Sequence, residues 1–228
     1  MDTALQASLM AKLVELSLSV SPGTRLPVVV VIDTSGSMSG APIAELGEAL
    51  AQFFTAVDAD DDARDACEIA IVEVGGDVRV ARPFARACDG AVTSLDADGQ
   101  TPMGEGVMVA VDLIEERKRQ YSASGTRYFQ PWLVILTDGQ PTDETAAVEK
   151  RVAELVGAKK LTVFPVAVGP DADLARLRKL AGGTPPARLA GLDFQSFFRW
   201  LSASVSVVAQ SSPGDRVPMP SPFEWIES

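Results

Sequence analysis

Pro27-Val28-Val29-Val30-Val31-Ile32-Asp33-Thr34-Ser35-Gly36-Ser37-Met38 is the stretch that decides the fold. A near-continuous β-branched run reads as a strand buried on both faces, which is the pattern of a central strand in a parallel sheet. Directly after it, one carboxylate and two hydroxyls stand on alternate residues, Asp33, Ser35 and Ser37. Residues two apart in extended backbone point the same way, so these three oxygens can face one point in space. Donors that are all oxygen suit a hard cation such as Mg2+.

Outward from this strand, helical and strand patterns alternate. Ile43 to Val57 predicts an amphipathic helix with Ile43, Leu46, Leu50, Phe53, Phe54 and Val57 on one side. The acidic cluster Asp58 to Asp62 reads as a solvated loop. Cys67 to Val74 and Val78 to Phe84 predict two strands joined at Gly75-Gly76-Asp77, a hairpin signal that yields one antiparallel edge strand. Gly104 to Tyr121 predicts a helix with Val107, Val111 and Ile114 inward and the run Glu115-Glu116-Arg117-Lys118-Arg119 facing water. Trp132 to Thr137 and Leu161 to Val168 predict further buried strands, and Thr142 to Gly157 and Ala172 to Leu180 predict helices. A short strand near Ala187 to Leu189 and the helix Phe194 to Ala209 follow. This order predicts an α/β fold: an open, mostly parallel, doubly wound sheet with helices on both faces.

Three segments divide the chain. Residues 1–24 predict an extension packed on the domain, with Leu5, Leu9, Leu13 and Leu16 at helical spacing running into the alternating Val14 to Val20. Residues 25–209 hold the α/β domain. Residues 210–228 carry prolines at 213, 218, 220 and 222 and predict an extended strap pinned by Phe223 and Trp225.

Composition narrows the function. The chain has 228 residues, 46% of them hydrophobic, and a formal net charge of -11. Such a balance repels a phosphate backbone, so no nucleic-acid partner is expected. No apolar run approaches the length of a membrane span and no basic n-region precedes one, so a soluble, cytoplasmic protein is expected and no membrane partner. Cys67 and Cys88 lack metal-type spacing and read as free, mostly buried thiols. Histidine is absent altogether. That removes Ser-His-Asp and Cys-His hydrolases, His-ligated zinc and histidine phosphorelay from consideration.

In an open parallel sheet, ligands bind beyond the carboxyl ends of the strands where the strand order reverses. Asp33, Ser35 and Ser37 lie at the end of the first strand, and Leu136-Thr137-Asp138-Gly139-Gln140-Pro141 lies at the end of the next parallel one. Asp138 is thereby placed across the crevice from Asp33. Between them in sequence, Asp98-Gly99-Gln100-Thr101-Pro102-Met103-Gly104 sets the Thr101 hydroxyl just before a helix. Met38, Gln100, Met103, Gln140 and Pro141 are expected around the opening. Thr142 and Asp143 read as first-turn residues of the helix that follows, and Asp96 and Asp98 as loop acids that could form a second cation site.

Together these segments resemble the von Willebrand factor A (vWA) domain and its metal-ion-dependent adhesion site (MIDAS). Asp33, Ser35 and Ser37 match the first motif of that site, Thr101 its threonine and Asp138 its second aspartate. Arg25-Leu26-Pro27, Gly99 to Gly104, Pro131-Trp132, Thr137 to Thr142 and Phe197 to Ser206 are similar to the bacterial intracellular TerY-like branch associated with tellurite resistance. The resemblance implies a Rossmann-like vWA fold and one Mg2+, with Mn2+ or Ca2+ as alternatives, held by the Ser35, Ser37 and Thr101 hydroxyls. Asp33 and Asp138 would bind directly or through water. It further implies a non-enzymatic interaction module in which a partner protein supplies an Asp or Glu, in a bacterial stress-response or defence system linked to a protein kinase and phosphatase. A Mg2+-dependent phosphatase using Asp33, and a scaffold with a vestigial metal site, are the competing readings. Against the first, aspartyl phosphatases typically carry a second carboxylate two residues on, where this chain has Ser35.

Overall fold

The first strand, β1 (Leu26–Asp33), is buried along its whole length. The computed structural model describes residues 23–90, 94–221 and 226; the helix and strand expected before Gly23, and the anchors Phe223 and Trp225, lie outside them. After β1 come α1 (Ala41–Ala59), α2 (Asp61–Ala66), β2 (Cys67–Gly75), β3 (Asp77–Arg86), α3 (Met103–Ser124) and β4 (Trp132–Thr137). Next are α4 (Ala146–Gly157), β5 (Thr162–Ala167), α5 (Leu174–Leu180), β6 (Ala187–Arg188) and α6 (Phe194–Ala209).

Strand order in the sheet is β3-β2-β1-β4-β5-β6. β1 pairs in parallel with β2 (Leu26 with Cys67, Asp33 with Val74) and with β4 (Val28 with Trp132, Ile32 with Leu136). β3 is antiparallel to β2. From β1 the chain first moves toward β2 and later returns to β4 on the other side. Parallel crossovers are right-handed, so reversing the direction of travel sends the helices to opposite faces. Accordingly Val28, Val30 and Ile32 pack with α1 and α6, while Val29 and Val31 pack with α3, α4 and α5. The doubly wound, Rossmann-like sheet with one antiparallel edge strand is the fold expected from the sequence.

Several boundaries differ from that expectation for identifiable reasons. The acidic stretch after Val57 does not loop out: Asp60 accepts from the Ala63 N–H at 2.9 Å and caps α2. Helix α5 starts at Leu174 because Asp173 caps it, accepting from the Ala175 and Arg176 N–H groups at 3.0 Å. Met38 and Met103, expected at the rim of a crevice, are fully buried in the cores on opposite faces of the sheet. Cys67 is buried and Cys88 exposed, both as free thiols. Burial pushes the Cys67 thiol up, so it stays protonated and inert. No helix among the described residues is long and apolar enough to cross a membrane.

The charge run on α3 also departs from expectation. Arg117 follows Ile114 by three residues and precedes Tyr121 by four, so the helical period turns it inward. It is buried and grips Glu68 with two bonds of 2.8 Å, while Tyr121 donates to the same carboxylate and Arg25 stands 4.0 Å away. This knot ties α3 to the amino ends of β1 and β2, opposite the pole where Asp33 lies.

The two outer strands of the sheet are finished differently. On β3, Arg82 turns inward over the Phe54 ring at 4.8 Å. Its guanidinium donates to the carbonyls of Gly90 at 2.8 Å and Ala85 at 3.0 Å, where the pairing with β2 shifts register. At the other edge the chain returns after α6: the Trp200 indole donates to the Pro220 carbonyl at 2.8 Å and Leu189 bridges to Ile226. Val217, Met219 and Ile226 pack against the core.

Arg117→Ala removes both close guanidinium bonds to the buried Glu68 carboxylate, and breaking a buried pair is costly. Urea denaturation is expected to show a loss of about 3 kcal/mol for Arg117→Ala, whereas Arg119→Ala on the same helix leaves the midpoint nearly unchanged. Equal effects would show that Arg117 is solvated.

Candidate metal centre

Three loops interlock beyond the carboxyl ends of β1 and β2. The Thr34 N–H donates to the Val74 carbonyl at 2.8 Å, and the Thr34 carbonyl accepts from the Asp98 N–H at 2.9 Å. The Gly36 N–H donates to the Gly99 carbonyl at 3.0 Å, and the Gly76 N–H to the Gln100 carbonyl at 2.8 Å. Such closeness requires glycine. A Cβ on Gly75 would lie 2.2 Å from the Thr34 carbonyl oxygen, and one on Gly99, at φ +71, would lie 2.5 Å from the Gly76 Cα. Gly75 and Gly76 read in the sequence as a hairpin turn only; in the fold they are also the seat on which the Thr101 loop rests.

On the far side, Gly106 lets α3 approach the sheet, since a Cβ there would fall 2.3 Å from Val74 Cγ2. This brings Thr101, which precedes α3 and is buried, to the crevice. The Thr142 N–H then donates to the Thr101 carbonyl at 3.0 Å, joining the loop after β4. Thr142 is held outside the helix in this way, and α4 starts at Ala146 and not at Thr142.

The candidate ligands meet in this frame. Asp33 is buried; its Oδ1 accepts from the Ser35 N–H at 2.9 Å and its Oδ2 from the Thr137 hydroxyl at 2.5 Å. The Ser35 and Ser37 hydroxyls are 3.0 Å apart, and Ser37 donates to Asp138 Oδ1 at 2.8 Å. Thr101 Oγ1 faces Gly139, lying 3.8 Å from where a Cβ on that glycine would be. The depth is graded: Asp33, Ser35 and Thr101 are buried, Asp138 is half-buried, and Ser37 is exposed. Gln100 and Gln140 are exposed and Pro141 is half-buried, so these three lie on the solvent side as expected.

Electrostatics favour a cation here. Burial pushes the Asp33 carboxyl above the ordinary carboxylate value, and repulsion from Asp138 adds to this against hydrogen bonds from Ser35 and Thr137. A charged carboxylate held in so poor a solvent gains by pairing with a positive ion. The donor set is two carboxylates and three hydroxyls, which fits Mg2+ or a similar hard ion and not a soft one. Among the described residues no three of His, Cys, Asp and Glu cluster as a metal site. Asp96 and Asp98 are exposed, and Asp98 Oδ1 accepts from the Gly99 N–H at 2.7 Å.

Two groups at this site were missed in the sequence. Thr137 orients Asp33. Asp143, read as part of the next helix, accepts from the Gly104 and Glu105 N–H groups at 3.0 and 2.8 Å. A signal was present: Pro102 stands at the N-cap of α3 with no side-chain bond, so that helix needs an acceptor from elsewhere.

A doubly wound sheet with hydroxyls and paired carboxylates at its reversal point defines an α/β domain of the Rossmann-like class. The chain belongs to the von Willebrand factor type A domain family, whose model matches residues 28–197. It is 29% identical over 163 residues to inter-alpha-trypsin inhibitor heavy chain H4 of Sus scrofa, a match covering 68% of this chain and 17% of that one. The chain thus spans under a fifth of the length of that curated relative. Among solved structures it is similar to the von Willebrand factor type A protein from Catenulispora acidiphila, with a TM-score of 0.61, 23% identity and coverage of 81% and 43% of the two chains. Proximal thread matrix protein 1 from the mussel byssus, solved with a zinc-occupied MIDAS motif, gives a TM-score of 0.54 and 17% identity, covering 82% of this chain and 49% of that one. Both structural likenesses are of fold. Domains of this family are often protein-interaction modules that hold a divalent metal at the MIDAS.

Because the folded value of Asp33 is raised, the folded chain keeps that proton over a pH window where the unfolded chain has released it. Metal-free protein is therefore expected to lose stability as pH rises from the ordinary carboxylate range through the raised value. Asp33→Asn removes this slope and is the more stable protein above the window. Denaturation in chelator from about pH 4 to about pH 8 measures it; parallel curves for the two proteins would contradict the assignment.

Proposed function

We propose that the chain is a non-enzymatic, metal-dependent protein-interaction module. Asp33, Ser35, Ser37, Thr101 and Asp138 hold one Mg2+, with Mn2+ or Ca2+ as alternatives. The observation that carries this reading is the hydrogen-bonded line Ser35–Ser37–Asp138, which starts at buried Ser35 and reaches solvent through exposed Ser37 and half-buried Asp138. When bound, the metal supplies a positive centre that can accept a carboxylate oxygen from outside the chain. Asp33 anchors the inner side, fixed by Thr137 and the Ser35 N–H. Three of the five donors are neutral hydroxyls, so the ion is surrounded by less negative charge than in an all-carboxylate cage, and Ser37 and Asp138 form the accessible lip. A partner's Asp or Glu is the ligand this arrangement suits.

Hydrolysis finds little support. The residue two positions after Asp33 is Ser35, which engages Ser37 and offers no acid, and the chain contains no histidine. The likeness of Gly99 to Gly104, Thr137 to Thr142 and Phe197 to Ser206 to the TerY-like branch supports a cytoplasmic, bacterial stress-response or defence setting. A protein kinase or phosphatase is the partner class that this likeness suggests.

Calorimetry with Mg2+ and Mn2+ is expected to give one site, lost in Asp33→Ala and in Asp138→Ala. Recovery of a bound partner in Mg2+ should fall to background in chelator and in both variants. Equal recovery in all conditions would remove the metal bridge, and metal binding unaltered by the two substitutions would remove the ligand assignment.

A further inference from the structure

Helix α3 begins at the cation crevice. Thr101 is two residues ahead of Met103, its first residue, and the N-cap between them is Pro102, which offers no side-chain acceptor. A helix of 22 residues presents about half a positive charge at its amino end, through N–H groups with no partner in the helix. Left as it is, that end would oppose a cation at Thr101 and would leave its own donors unsatisfied.

Asp143 resolves both difficulties. Its two oxygens accept from consecutive N–H groups of the first turn, Gly104 at 3.0 Å and Glu105 at 2.8 Å. The fit is close: a Cβ on Gly104 would lie 2.8 Å from the Glu144 carbonyl oxygen and 2.9 Å from Asp143 Oδ2. One residue earlier, the Thr142 N–H holds the Thr101 carbonyl at 3.0 Å. Three bonds therefore tie the loop that carries Asp138 to the turn that carries Thr101. Without them, these two candidate ligands belong to separate loops that α3 alone would have to align.

We propose that Asp143 is a positioning residue of the cation site, which clamps the first turn of α3 to the loop after β4 and offsets the positive helix end beside the ion. The inference rests on the cation reading of the Asp33 crevice. Asp143 touches no ion in this scheme; it acts through Thr101 and through charge.

The two effects separate experimentally. Asp143→Asn keeps the shape and one carbonyl acceptor but removes the charge, and Asp143→Ala removes both. Asp173→Asn and Asp193→Asn serve as controls, because these aspartates also accept from first-turn N–H groups, two on α5 and one on α6, and neither helix carries a candidate ligand. Calorimetry with Mg2+ and with Mn2+ is expected to show affinity weakened about tenfold or more in Asp143→Asn, as for other groups that support metal ligands from behind. Asp143→Ala should weaken it further, broaden the bound Mn2+ resonance, and speed amide exchange at Gly104 and Glu105 in metal-free protein. The controls should lose stability while binding metal as the parent does. Parent-like affinity in both Asp143 variants, or equal weakening in the controls, overturns the positioning role alone. A parent that binds neither metal overturns the cation reading and this role together, so the parent isotherm tells the two failures apart.

Discussion

The parallel pairing of β1 on both its edges is the constraint on which the molecule depends. A strand with partners on each side and helices on each face has no exposed surface, so only an apolar, β-branched sequence can occupy it. Each of Val28 to Ile32 is fully buried, and each contributes on the order of 2 kcal/mol of side-chain burial. The right-handedness of the crossovers then leaves the chain no choice about where its helices go. The crevice beyond Asp33 is a by-product of that topology, since the crossovers depart from β1 in opposite directions.

What fills the gap is backbone held at unusually short range. The loops after β1, β2 and β4, together with the turn before α3, are joined by main-chain bonds, and glycines at 75, 99, 104 and 106 allow the approach. The polar groups of the crevice gain their orientation from this frame. Asp33 is fixed from two directions, which holds a buried carboxylate in place despite its poor solvation. A site prepared in this way loses little further freedom when a ligand arrives.

Most of this architecture was legible in the sequence, because the strands have distinctive patterns. Trp132–Thr137 and Phe194–Ala209 match their expected bounds, and the reversal at β1 follows from the order of elements. That Asp33, Ser35, Ser37, Thr101 and Asp138 come to one crevice was legible too, since motifs at strand ends have a fixed place in a doubly wound sheet. The misreadings share one cause. Arg117, Met38, Met103 and Asp143 were judged by residue type and near neighbours, whereas their surroundings are set by chain distant in sequence. Glu68, 49 positions away, makes Arg117 internal. The capping need of α3 draws Asp143 back across 38 positions. Such pairings leave only indirect traces, like a proline where a cap should be.

The inward turn of Arg82 on β3 reaches beyond local packing. An outer strand normally offers a ladder of donors and acceptors to any other extended chain. Here the register shift interrupts that ladder, Pro83 lacks a donor, and Arg82 draws neighbouring carbonyls to itself. At the opposite edge, β6 is only two residues long and the chain after α6 returns beside it. Neither border is left as a regular template. Among the described residues, both edges of the sheet therefore disfavour strand-to-strand pairing between copies of the chain.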